Sequence, residues 1–86
     1  MYGGENMTED LSPEDLEGRT VYGREANEGD RGRITEVRSP EHERNMYMPG
    51  RYEALIEYDG YVGKEGCVAQ KLIDDDVRSW SLTPNE

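Results

Sequence analysis

The sequence predicts a mainly β protein: a small five-stranded barrel, closed or nearly closed, preceded by one short helical turn. Glycine-rich turns divide residues 19–82 into five short apolar runs, the rhythm of a small barrel. In "RYEALIEYDG", residues 51–60, Tyr52, Ala54, Ile56 and Tyr58 alternate with Glu53, Leu55 and Glu57, which is the period of a strand. Helical periodicity is confined to one turn near the N-terminus. Closure is expected because open edges on a small, thin-cored sheet invite aggregation.

The elements follow in order. Residues 1–10, "MYGGENMTED", read as a disordered acidic arm, with two glycines, polar groups and no periodicity. In "LSPEDLEG", Ser12 can cap a helix, Pro13 suits its first position, and Asp15 stands where a capping box places an acid. Leu11 and Leu16 hold the two positions of a hydrophobic staple, and Gly18 can end the turn. A helical turn over about 13–17 is therefore expected.

"RTVYGRE" then predicts a first strand over about 19–25, "ANEGDRG" a turn, and "RITEVRS" a second strand over about 33–39. "PEHERNMYMPG" reads as a long loop, and residues 52–58 form the clearest strand, ended by the Asp59-Gly60 turn. "GCVAQKLI" predicts a fourth strand over about 66–73. After "DDD", "VRSWSL" predicts a fifth, with Val77 and Trp80. The single barrel domain spans 11–83 and residues 84–86 form a tail.

The composition sets bounds. Eighty-six residues make one domain at most, with a thin core: 33% hydrophobic residues, no Phe and one Trp. Six tyrosines carry the aromatic load, and their hydroxyls need partners when buried. The chain holds 20 acidic and 10 basic residues, a net charge of −10. Six of those acids lie in residues 1–18, which contain no Lys or Arg. Such a field repels nucleic acid and favours solubility. The acid-rich, Lys-poor balance matches salt-adapted proteins and equally the products of high-GC genomes and their viruses. The one cysteine, Cys67, has no internal disulfide partner, and its small neighbours point to a buried side chain. No apolar run nears the ~20 residues of a membrane span, and the acidic start is unlike a signal peptide. The expected setting is cytoplasmic, or a virus particle or infected cell.

"EGDRGRITEV", residues 28–37, resembles the KOW element, a glycine, a gap, a second glycine and aliphatics, through Gly29, Gly32, Ile34 and Val37. "LIEYDG" is similar to the central hairpin of Src-homology-3-like barrels, with Ile56, Tyr58, Asp59 and Gly60 matching. Leu16, Gly18, Val21, Tyr22, Gly32, Ile34 and Val37 also resemble the start of PRC-barrel domains. These resemblances imply a Src-homology-3-like barrel and an adaptor. KOW-type barrels imply RNA, ribosome or transcription-complex contacts, and PRC-barrels imply docking to larger assemblies. Neither supplies a catalytic residue.

Catalytic patterns are absent: no nucleophile elbow, no phosphate loop and no paired Cys/His set. An enzyme and a cofactor are not expected. The partner-binding candidates are Met46, Tyr47 and Met48, three apolar side chains in a strandless loop, and Tyr61, beyond a turn glycine. Against them stands the reading that the loop folds back to close one end of the barrel. Arg31 and Arg33 flank Gly32 and could meet phosphates; the plainer reading pairs them with Glu28, Asp30 or Glu36. His42 lies between adjacent carboxylates, poor ligand geometry, and Asp74–Asp76 lacks the spacing of a calcium loop. Tyr58 is expected inward by its phase with Ile56, and Trp80 is expected in the core.

Three functions fit: an adaptor docking into a protein assembly, a KOW-like module on RNA, ribosome or DNA, and an acidic nucleic-acid mimic inhibiting a nuclease or defence complex. The sequence does not specify an oligomeric state.

Overall fold

The computed structural model of the protein describes residues 11–47 and 50–84. The predicted acidic arm, Met48 and Pro49 lie outside the described residues. Five antiparallel strands form one curled, half-barrel sheet: β1 (Thr20–Gly23), β2 (Arg31–Arg38), β3 (Glu53–Tyr58), β4 (Glu65–Val68) and β5 (Trp80–Ser81). Their order is β4-β3-β2-β1-β5, so the last strand pairs with the first and β4 and β5 are the two edges. The sheet does not close on itself by hydrogen bonds among the described residues, where the sequence predicted a closed or nearly closed barrel.

The predicted N-terminal turn is a 3-10 helix, Pro13–Leu16, with a capping box between Ser12 and Asp15. The Ser12 amide donates to Asp15 Oδ2 at 3.1 Å, which holds that carboxyl below its usual range. The turn delivers Leu16, fully buried, to the core.

Three of the predicted strands, the first, fourth and fifth, are shorter than expected. β1 stops at Gly23, because residues Glu25–Asn27 wind into a second 3-10 turn. The predicted fourth strand stops at Val68, and Ala69–Ile73 form the α-helix α1. Ala69 and Leu72 stand three apart and are both buried, while Gln70 and Lys71 face water. That spacing suits a helix, and four of its five residues are good helix formers. The fifth strand shrinks to Trp80–Ser81.

In β2 the register with β3 shifts between Ile34 and Glu36: Ile34 lies opposite Ile56, and Glu36 opposite Leu55. Thr35 is the extra residue of a β-bulge. A regular strand would send Ile34 and Val37, three apart, to opposite faces. The bulge restores the phase, so Val37 lies opposite Ala54 and packs on the same core as Ile34.

That core comprises Leu16, Val21, Ile34, Ala54, Ile56, Ala69, Leu72 and Trp80. Trp80 is buried, as its sequence position predicts, and meets Tyr58 edge-on at 4.7 Å between ring centroids. Tyr58 packs against the core, in phase with Ile56. Gly32 is obligatory for close packing: a Cβ there would lie 2.9 Å from Ile56 Cγ2 and 3.2 Å from Glu57 O. Gly29 supplies the left-handed φ of +93° that the preceding turn requires.

Candidate functional site

The sheet has a core face and an outer face, and the outer face carries two depressions at opposite ends of β3. Alternation along β2 sets this arrangement, since buried Gly32 and Ile34 alternate with exposed Arg31 and Arg33. Register then places Thr20, Arg33 and Glu57 side by side on the outer face.

The first depression, about 690 Å³, is lined by Thr20, Arg31, Gly32 and Arg33 on one wall. Glu57, Tyr58, Asp59, Tyr61, Val62 and Gly63 line the other. Tyr61 is half exposed and stacks on Tyr58 at 5.8 Å, so a chain of rings runs from buried Trp80 to the surface. Val62 is 99% exposed, a residue the sequence reading passed over because it follows the turn without a strand phase. The Arg31 guanidinium lies 5.5 Å from the centroid of the Tyr22 ring, a cation–π contact. Among the described residues neither Arg31 nor Arg33 forms an ion pair, and Glu36, one expected partner, is paired with Arg38 instead at 3.1 Å. Hydrogen bonding from Arg38 holds the Glu36 carboxyl below its usual range.

The second depression, about 560 Å³, is lined by Arg38, Met46, Tyr47, Glu53, Leu55, Lys64 and Gly66. Its loop is anchored by Asn45, which is buried. The Asn45 side-chain amide donates to the carbonyls of Arg38 at 3.3 Å, Ser39 at 2.8 Å and Arg51 at 2.8 Å. It thereby ties the end of β2 to the approach to β3. Its Oδ1 accepts the Tyr47 amide at 2.6 Å. Asparagine in a loop is a turn-forming residue, and that was the signal for this anchor in the sequence.

Glu53 is the second anchor. Alternation placed it on the solvent side of β3, yet it is 2% exposed. The loop returns across this end of the outer face and covers it. Glu53 Oε1 accepts the Met46 amide at 3.2 Å and lies 3.7 Å from Arg38 Nη1. Burial of a carboxylate is tolerable only with such partners.

The predicted partner-binding residues thus separate. Met46 and Tyr47 line the second depression, whereas Tyr61 joins Arg31 and Arg33 in the first. Met46 is 78% exposed, while Tyr47 is half-buried and donates its hydroxyl to Gly66 O at 2.9 Å. The loop therefore folds back, but over the outer face of the sheet rather than to close one end of a barrel, and it still presents an apolar side chain. Burial, then the charges of Cys67, Glu53 and Glu65, push the Tyr47 phenol up.

The remaining reactive groups sit outside both depressions. Cys67 is partly buried on the core side, and its thiol is pushed up to about 12, first by burial and then by Glu65 and Glu53. His42 Nδ1 accepts the Arg44 amide at 3.0 Å. Asp75 pairs with Arg24 at 2.8 Å, and Asp74 accepts a hydrogen bond from Gln70 at 3.0 Å. Among the described residues no group of three or more His, Cys, Asp or Glu side chains is placed to hold a metal ion. Among the same residues no helix is long and apolar enough to cross a membrane. Compared with known proteins, the chain matches no family model, no curated protein and no solved structure.

Proposed function

We propose that the protein is a non-enzymatic adaptor, a Src-homology-3-like module that docks into a larger protein assembly through the loop carrying Met46. The antiparallel sheet whose last strand pairs with its first supports the fold reading. The observation that carries the function is Met46: an apolar side chain, 78% exposed, on a loop that Asn45 and Glu53 hold in place. A pinned loop loses little conformational entropy on binding, and methionine adapts to an irregular partner surface. Lys64 and Leu55 beside it offer a charge and an apolar floor.

The clean probe is Met46→Ser, because Tyr47 also serves the fold. Affinity purification from the native host at native salt, with wild type and variant as bait, tests the reading. Loss of a specific partner with an unchanged circular dichroism spectrum is the expected result. Equal recovery of that partner by the variant rejects it.

A second reading, contact with RNA or DNA, has one observation in its favour: Arg31 and Arg33 face outward beside Tyr61, without ion pairs among the described residues. Glu57 and Asp59 in the same depression oppose it, as does the −10 net charge. Under this reading Arg31→Glu with Arg33→Glu weakens binding to a single-stranded oligonucleotide, with a salt slope. Absence of wild-type binding at low salt discards it.

A further inference from the structure

We propose that the depression between β2 and β3 is a self-association face, and that its occupant is a second copy of this chain related by a two-fold axis. The protein carries −10, so two copies repel over most of their surfaces. The lining of this depression is different: Arg31 and Arg33 are offset by Glu57 and Asp59, and its formal charge is zero. It is a place where two copies approach without like-charge repulsion.

The arrangement of those charges is self-complementary. Both arginines stand on the β2 wall, and both acids stand on the β3 wall and the turn that follows. Arg33 and Glu57 are direct cross-strand neighbours, so they lie at the same height along the groove. Arg31 and Asp59 each lie one residue beyond the next pair, Gly32 and Tyr58, at the same end of the groove. A two-fold axis running along the groove, between β2 and β3, exchanges the walls. Arg33 of each copy then faces Glu57 of the other, and Arg31 faces Asp59. A two-fold interface requires this kind of self-matching patch. Among the described residues neither arginine forms an ion pair with an acid, which leaves both available. Val62 and Tyr61, exposed at the rim, supply the apolar contact that charge pairs alone do not provide.

Sedimentation equilibrium of the full chain at about 0.15 M salt, from micromolar to millimolar protein, tests the proposal. Wild type is expected to show a concentration-dependent monomer–dimer equilibrium. Arg33→Glu places two acid–acid pairs across the axis, and Glu57→Arg places two arginine pairs there. Each variant alone is expected to dimerise at least about tenfold more weakly, as close charge pairs at interfaces do when reversed. An equimolar mixture of the two variants restores both pairs and is expected to recover wild-type association as a heterodimer. Val62→Asp, at a side chain that is 99% exposed and so without a role in the core, is expected to weaken association equally. A wild type that stays monomeric at 1 mM overturns the proposal. So does a variant mixture that associates no better than either variant alone. Either outcome leaves the Met46 reading standing, since that one is decided by retention of a heterologous partner.

Discussion

The hydroxyl of Tyr47 donates to the carbonyl oxygen of Gly66 at 2.9 Å, and so fastens the loop after β2 onto the edge strand β4. An edge strand presents unpaired backbone groups, and a side chain laid across one of them blunts that edge. Tyr47→Phe removes only the hydroxyl and is expected to cost about 1 kcal/mol in urea denaturation. The freed carbonyl is also expected to make the variant aggregate faster on prolonged incubation. A variant with wild-type stability and wild-type aggregation would show that the bond is incidental.

Asn45→Ala is expected to cost more. Its amide serves three carbonyls from two segments and its Oδ1 accepts the Tyr47 amide, and all four contacts are lost together, although Ser39 O keeps the His42 amide. A loss of about 2–3 kcal/mol is expected, the scale of several buried polar groups left unsatisfied. Hydrogen exchange should show the Met46 and Tyr47 amides losing protection before those of β2 and β3. Uniform loss across the sheet would contradict an anchoring role confined to the loop.

Gly32→Ala probes a close approach between β2 and β3. The added methyl would stand 2.9 Å from Ile56 Cγ2 with backbone of Glu57 behind it, so neither neighbour yields cheaply. A loss of about 1–3 kcal/mol is expected, the range for overpacking. Gly29→Ala meets nothing within 4 Å and suffers only its left-handed φ, which predicts a smaller loss, about 1 kcal/mol. Thermal unfolding of both variants decides the order.

Stability is expected to fall on both flanks of pH. Folding raises the Cys67 thiol from its ordinary 9.0 to about 12, so the unfolded chain releases that proton first. The contribution is complete below about pH 9 and is lost as pH rises toward 12. Tyr47, also raised, acts in the same direction. Compared with Cys67→Ala, wild type should lose about 1–2 kcal/mol more between pH 8 and pH 10. At the acid end, Asp15 and Glu36 are depressed by hydrogen bonds from Ser12 and Arg38. Their contribution is complete above their ordinary values of 3.8 and 4.5 and fades as pH falls below them. Urea midpoints across the pH range measure both flanks; parallel curves for wild type and Cys67→Ala above pH 8 would refute the alkaline part.

Local patterns in the chain were sufficient for the mainly β class, the capped N-terminal turn, the central strand β3 and the inward Trp80. Each is written within a few residues, because backbone preference and strand phase are local properties. The tertiary structure alone decided the rest. The bulge at Thr35 exists because Ile34 and Val37 must both reach a core built by other strands. Glu53 is buried because the loop that joins β2 to β3 folds over the face to which its phase assigns it. Tyr61 joins Arg31 and Arg33, and parts from Met46, because pairing brings the end of β3 beside the start of β2. Phase tells which face a side chain takes; what covers that face depends on where other segments return.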